Sequence, residues 1–583
     1  MKQAKKILAI LLSALMILSI MTVGISANTD APIVIDSASD WNAYKQADGS
    51  YLLPKNGKFT VSATVETLET NFNGNGSIVT TSVPLFKTAN NVVIENLTIN
   101  GKISVTGDCA ALATFIKGYS SVKNIVNNAN VTSTDGNNGG VGGILAHVSA
   151  GLTEVNNCVN NGNVTANNGV QTYPGGIIGT LWKSTAIVTN CVNNGNIISN
   201  AAESANTTKL ACGAGGIIAY VAGAGSHITI TGCGNNGDVT AQWIAGGIVG
   251  RNYGRPNIIT GCYNTGDISA TWAGQGMAGG VDGTGGHASL NYCWNTGDVS
   301  GQLLEHQITG HQAIQECIGN YYSDTVTVKA FHFDGSDYTN EGATAFTAAE
   351  LASGKLAYDI NTAAGAQLFF QNLSATNSTP TTDPADGNVL KIGENYLSFS
   401  IVTREAASAR IEEGNAGLRF ATDIRKADYD ALVAAGISAD TIKVGTVVTP
   451  YEAIEEIEDN DEIFTVDKLT EGTYLNIEAT LKTDSADYYF RNSIVKISED
   501  NYDTDYAAIG YIQFGETIIY SANYTVRNVE QVATAAYADR ADASADGYEN
   551  SISASSAVAI DSKATYSPYT EAQLTILKAY IAE

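Results

Sequence analysis

Gly246-Gly-Ile-Val-Gly-Arg-Asn-Tyr-Gly-Arg-Pro-Asn-Ile-Ile-Thr-Gly-Cys-Tyr-Asn-Thr-Gly-Asp-Ile268 is one copy of a pattern that recurs in fixed order along the middle of the chain. A Gly-Gly pair followed by an aliphatic residue stands at Gly142-Gly143, Gly175-Gly176, Gly215-Gly216, Gly246-Gly247 and Gly279-Gly280. Thirteen to seventeen residues beyond the second glycine comes a cysteine: Cys158, Cys191, Cys233, Cys262 and Cys293, with Ile125 opening the column and Cys317 read as its last member. The steps along that column are 33, 33, 42, 29, 31 and 24 residues. Three residues before each Cys lies an apolar residue (Val122, Val155, Val188, Ile230, Ile259, Leu290), and two residues after it an Asn (Asn127, Asn160, Asn193, Asn235, Asn264, Asn295).

Regular columns with variable spacing between them describe a solenoid of short parallel strands, one coil per repeat, with the length differences absorbed in loops. The 42-residue step carries an excursion from about Ser199 to Cys212. An Asn repeated in every coil has a physical reason, since its amide can donate to the coil on one side and accept from the other. A site that accepts Ile as well as Cys is a core site, so the cysteines read as a ladder of buried thiols and not as disulfides. Cys109 and Cys212 fall outside the ladder, free or paired. Residues three apart on one continuous strand face opposite sides. The apolar residue and the Cys both belong inside, so a bend must separate them.

The flanks read differently. Residues 1–27 combine Lys2, Lys5 and Lys6 with an apolar run from Ile7 to Met21 and small residues up to Ala27, the layout of a secretory signal peptide. The coils are expected over 28–345, including an N-terminal cap around Trp41. Residues 346–373 have helical spacing suited to capping the open end, 374–390 form a linker, 391–540 a β-rich accessory domain with sandwich-like strand spacing, and 541–583 a tail with a terminal helix. No other stretch is apolar enough to span a bilayer.

The 583 residues carry a formal net charge of −27, and removing the three signal lysines leaves 28 basic against 58 acidic residues, or −30. Nucleic acid is a poor partner for such a chain. Ser121–Asn320 holds nine acidic and five basic residues, whereas 33 of the 58 acids lie from Lys391 onward. The middle solvates itself with amides and hydroxyls, and the C-terminal part with carboxylates.

The Gly-Gly-aliphatic-aliphatic-Gly signature at Gly176–Gly179 and Gly247–Gly250, with Phe72-Asn-Gly-Asn-Gly and the Glu350–Asn361 segment, resembles the GLUG-type repeats of bacterial secreted and cell-surface proteins, over roughly Ile33 to Leu373. The resemblance implies a right-handed parallel β-helix of pectin-lyase type, and it implies no reaction. The C-terminal domain is similar to accessory β-domains of clostridial-type extracellular proteins at Gly417-Leu-Arg-Phe, Gly445-Thr-Val-Val-Thr-Pro and Gly510-Tyr-Ile.

Candidate functional residues are those left over once the inward columns are assigned. Asp238, Asp267 and Asp298 follow the Gly of three successive coils, where Asn130, Asn163 and Asn196 stand in earlier ones. Stacked carboxylates suit Ca²⁺, but an exposed turn position, where Asn serves as well, accounts for them more simply. Tyr263 and Trp294 directly follow ladder cysteines and, by alternation, should point outward; Trp243 and Trp272 each lie five residues after an Asp. With Arg251, Tyr253 and Arg255 these rings outline a face suited to sugars or a protein surface. No zincin motif, nucleophile elbow or phosphate loop occurs. The expectation is an all-β, exported, monomeric protein that binds polysaccharide or a cell-surface or host protein without catalysis. The alternatives are a polysaccharide lyase or glycoside hydrolase acting on acidic polysaccharide, with Arg251 or Arg255 as base beside the acids, and a spacer without a ligand.

Overall fold

A computed structural model of the chain describes residues 32–581 apart from 136, 168–170, 201–211, 223–224, 253–256, 272, 276–287, 302–303, 307–313, 326–342, 405–406, 413, 459–463, 484–486, 522 and 540–570. The signal-peptide reading of residues 1–27, and residues 201–211 of the long excursion, lie outside that set. The chain divides into two compact units, Met1–Ala348 and Ala349–Glu583. No helix among the described residues is long and apolar enough to cross a membrane.

The first unit is a parallel β-helix. Its seven-stranded sheet runs in strict chain order from Cys109–Ala110 through Asn137–Gly142, Gln171–Gly175, Gly213–Gly215, Ile244–Gly246 and Ala273–Gln275 to Leu304–His306. Every strand pairs in parallel with its counterpart one coil away, as Thr185–Thr189 does with Leu152–Asn156 on one side and His227–Thr231 on the other. Inside lies one continuous apolar column from Ile35 to Val299. Trp41, on a short 3₁₀ helix at Ala38–Tyr44, closes its first turns by packing against Phe59 and Phe72.

Within the coils the Asn column is a buried amide ladder. Asn127, Asn160, Asn193, Asn235 and Asn264 each donate from Nδ2 to the Oδ1 of the next member at 2.7 Å, ending on Asn295. The second Nδ2 hydrogen goes to the carbonyl two residues on in the same coil, Gly162, Gly195 and Gly237 among them. The repeated glycine before the aliphatic pair exists to admit this amide. A Cβ on Gly176 would lie 2.0 Å from the Gly216 carbonyl oxygen and 2.5 Å from Asn193 Cγ.

The expected bend is present, and it has one conformation. The residue immediately before each ladder position is left-handed: Asn124, Asn157, Asn190, Gly232, Gly261 and Tyr292, with φ from 52° to 63°. Asn and Gly tolerate that region best. It resets the alternation, so that Val188 and Cys191 are both fully buried.

The ladder thiols from Cys158 to Cys293 are buried and in no disulfide, and the same holds for Cys109 and Cys212. Each ladder sulfur donates to the carbonyl two residues back, at 3.3 Å from Cys158 to Asn156. Burial pushes the Cys158 and Cys233 thiols up, and burial followed by the charge of Asp108 pushes Cys109 up to about 12. One reading needs correction. Cys317 is not the next rung: it pairs with Leu290, and the position after Cys293 belongs to Asn320, whose Oδ1 accepts the Cys293 N–H at 2.9 Å. Gly319, at φ 63°, supplies the bend there, so the last coil keeps its geometry while changing its side chain.

The helix Ala348–Ser353 spans the start of the second unit and is followed by the helix Lys355–Ala364, a hairpin of Asn388–Ile392 with Asn395–Phe399, and two larger antiparallel sheets. Strands Ile401–Thr403, Ser408–Arg410, Gly417–Ile424 and Tyr488–Val495 form one sheet; Lys443–Pro450, Leu475–Ala479, Tyr506–Phe514, Thr517–Tyr520 and Thr525–Arg527 form the other. Leu418, Phe420 and Ile424 of the first sheet share cores with Val444, Val448, Ala508 and Ile512 of the second, which makes a sandwich. Helices Val529–Asp539 and Glu571–Ala579 pack on one end of it through Val532, Ala533 and Leu577.

Two measurements check the interior. Asn193→Ala orphans the Asn160 donor and the Asn235 acceptor at once, and each buried unsatisfied group costs about 1–3 kcal/mol. Urea unfolding should show a loss of roughly 3 kcal/mol, against little change for the exposed Asn194→Ala. The thiols should be silent to an aromatic disulfide reagent in the native chain near pH 8 and react fully once it is unfolded. Because folding raises the pKa values of Cys109, Cys158 and Cys233, their contribution is intact below the unfolded thiol pKa of about 8.5 and falls as pH rises toward the folded values. An unfolding midpoint that held or climbed between about pH 8.5 and 10 would contradict this.

Candidate functional site

The face best ordered for contact is built by the strands that follow the Asn ladder. Asn130–Ser133, Val164–Asn167, Ile197–Asn200, Val239–Ala241, Ile268–Ala270 and Val299–Gly301 stack in parallel register. Val131, Val164, Ile197, Val239, Ile268 and Val299 point into the core. Their neighbours point out and form columns along the solenoid axis.

The first column precedes these strands. Asn128, Asn161, Asn194 and Asn236 are exposed, and each Nδ2 donates to the Oδ1 of the residue one coil earlier at 2.8–2.9 Å, starting at Asn100. Thr265 continues the column by donating its hydroxyl to Asn236 at 2.9 Å. In the second column the side-chain oxygens of Asn130, Asn163, Asn196, Asp238 and Asp267 each accept the backbone N–H of the next member, at 2.9–3.1 Å. A third column is Ser104, Thr132, Thr165, Ile198, Thr240, Ser269 and Ser300. Between the first two columns run buried small residues from Ala129 and Gly162 to Gly297, whose missing side chains keep the strip flat.

This arrangement explains the Asp triplet. The position requires only an oxygen that accepts a backbone N–H, and Asn or Asp supplies it equally. Asp238, Asp267 and Asp298 are exposed, one per coil, and among the described residues no three metal-ligating side chains converge.

The aromatic candidates are placed otherwise than alternation predicts. Trp294 is fully buried and Tyr263 is 3% exposed. Their rings stack at 5.3 Å and 10°, lying along the axis instead of standing off it. Tyr263 fills the space over Gly234, where an added Cβ would meet the ring at 2.1 Å, and Phe346 packs edge-on to Trp294. Trp243 is half-buried at the rim of the polar face, two residues beyond Ala241. Trp272, Tyr253 and Arg255 lie outside the described residues.

Arg251 is not a surface base. It is buried on strand Val249–Asn252, its guanidinium 5.2 Å over the Tyr220 ring, which in turn stacks on Tyr173 at 4.3 Å. Burial raises the Tyr173 phenol above its ordinary range, and Arg251 partly offsets that shift. The strand sits on a different face from the Asp column, so the acids and the arginine are not brought together.

In register with Tyr220 are Thr180, His147 and Phe115 in successive coils. The His147 ring stacks on Phe115 at 5.0 Å, and its Nε2 lies 2.9 Å from Asp108. Its Nδ1 is hydrogen-bonded to the Thr180 hydroxyl. Composition hid this column because its members share no residue type.

No family model and no curated protein matches the chain. A crystal structure of a "putative immunoglobulin A1 protease from Bacteroides ovatus" is similar to 61% of this chain and 93% of its own, at 14% identity and a TM-score of 0.32.

Proposed function

We propose that the protein is a non-catalytic, exported binding protein whose three-column polar face docks along an extended polysaccharide at a cell surface. The observation that carries the reading is the pair of exposed ladders. Their side chains are already held by coil-to-coil hydrogen bonds, so ordering them on binding costs little rotamer entropy. Amides and hydroxyls repeat at the coil spacing of about 4.8 Å along a flat strip. That is a pattern for hydrogen bonding a chain of similar repeating hydroxyl groups, and the residues of its columns from Asn128 to Ser199 are uncharged. Trp243 would border the strip with an aromatic edge. The resemblance to GLUG-type repeats and the leader-like residues 1–27 support export. With Arg251 buried on a different face, the enzyme reading would rest on Arg255, which lies outside the described residues, and an exposed position that accepts a backbone N–H accounts for the Asp column without calcium.

Thr240→Arg with Ser269→Arg places two long side chains on the strip without touching the core. Co-sedimentation with insoluble cell-wall polysaccharide should fall about tenfold or more in this variant. A matching pair on another face, Glu154→Arg with Thr229→Arg, should bind as the wild type does. Equal binding by both variants, or none by the wild type, would remove the face from consideration.

A further inference from the structure

The second unit carries a concentration of cations that the acidic composition of the C-terminal region conceals. On the outer side of its four-stranded sheet, Arg419 and Asp423 share a face with Arg491 and Tyr489, because Ala421 pairs with Arg491 and Asp423 with Tyr489. Arg410 and Arg404 border the same face. The carboxylates there are engaged: Asp423 by the fork of Arg404 at 2.7 and 2.8 Å, and Glu412 by Arg410 at 2.7 Å and Arg419 at 3.6 Å. Burial first, then the positive charges of Arg410 and Arg491, lower Arg419 from its ordinary range, which marks the face as short of anions. Among the described residues no carboxylate pairs with Arg491 or with Lys482.

Those two cations border an open cavity of about 550 Å³. It lies where Leu475–Ala479, the edge strand of one sheet, meets Tyr488–Val495, the edge strand of the other. Glu478, Thr480, Lys482, Tyr489, Arg491 and Asn492 line it. The Arg491 guanidinium and the Asn492 amide are held before any ligand arrives, and the backbone that carries Lys482 is anchored. The Arg491 guanidinium rests 5.0 Å over the Tyr489 ring, and the Lys482 backbone is tied to Tyr489 by hydrogen bonds of 2.7 and 3.0 Å. Asn492, 6% exposed, uses both amide hydrogens inside the fold, on Thr446 and on the Ile477 carbonyl, which leaves its oxygen as an acceptor.

We propose that this cavity binds an acidic sugar of one or two residues, its carboxylate between Arg491 and Lys482 and its hydroxyls toward Thr480, Asn492 and Glu478. A guanidinium fork matches a carboxylate, and the volume suits a small ligand. Glu478, already paired with Lys443 at 3.0 Å, accepts hydroxyls but repels a dianion, so the donor set favours a singly charged carboxylate over a phosphate. The site lies in a different unit from the polar strip and does not depend on it.

Calorimetric titration of the full chain with an aldobiuronic acid, a disaccharide bearing a single carboxylate, tests the assignment. The expected result is saturable one-to-one binding, weakened about tenfold or more by Arg491→Gln and by a smaller factor in Lys482→Gln. A neutral disaccharide should give no signal, and inorganic phosphate should fail to displace the ligand. Binding should persist in Thr240→Arg with Ser269→Arg, which separates this site from the solenoid face. Both glutamine variants change exposed residues, and an unaltered thermal midpoint confirms that they fold. Absence of binding in the wild type, undiminished binding in Arg491→Gln, equal binding of the neutral disaccharide, or displacement by phosphate would each overturn the proposal.

Discussion

The buried amide ladder is the interaction on which the solenoid depends. Each of its asparagines has two donor hydrogens in the apolar interior, where an unmade hydrogen bond is expensive. One hydrogen is used within the coil and the other reaches the next coil, so the amide cannot be satisfied unless the neighbouring coil stands in register. The ladder therefore acts as a register gauge. A coil slipped by one residue would strand a donor on one side and an acceptor on the other. The second glycines of the pairs follow from making room for it, Gly143, Gly176 and Gly216 lying against Asn160, Asn193 and Asn235. They are backbone accommodations to one side-chain requirement.

A second consequence concerns direction. The inner ladder donates toward the C-terminal end, from Asn160 to Asn193, whereas the exposed ladder donates toward the N-terminal end, from Asn161 to Asn128. Adjacent residues in one strand thus carry opposed amide chains. The outer chain has no need to satisfy buried groups, since water is at hand. What it does is hold exposed amides in one rotamer each, and this turns an ordinary polar surface into a patterned one.

Much of this was legible in the sequence because a ladder forces identity. A position that must both donate and accept across every coil admits almost only Asn, and a column of Asn at one offset from a column of Cys reveals both the period and the inside of the coil. The bend before each thiol was likewise forced, by two inward residues at odd spacing. Legibility ended where a column tolerates exchange. Asn320 takes the thiol position in the last coil because its oxygen accepts the same Cys293 N–H, so residue type pointed to Cys317 instead. Tyr263 and Trp294 were read outward from simple alternation, but Gly234 gives the rings a recess one coil away, and no count of in and out along one strand contains that neighbour. The burial of Arg251 in the His147 column was invisible for the same reason: Phe, His, Thr, Tyr and Arg succeed one another at a position where only the register shows that they touch.

The outer columns change chemistry along the axis while the inner ladder does not. From Asn236 onward the first column passes to Thr265 and Thr296, and the second from Asn196 to Asp238, Asp267 and Asp298. The hydrogen-bonding requirement stays met, since a carboxylate oxygen accepts the next N–H as an amide does and a threonine hydroxyl donates where Asn did. Structure therefore leaves the substitution free, and its effect falls on the surface: amide donors disappear and one negative charge per coil appears. A polymer lying along the strip would meet neutral donors at the N-terminal end and charged acceptors at the other. A ligand rich in hydroxyl donors can satisfy both halves, whereas one carrying carboxylates is repelled from the second half. On the binding role proposed above, the strip would discriminate by charge over a distance of a few coils, using a position that the fold itself constrains only to be an acceptor.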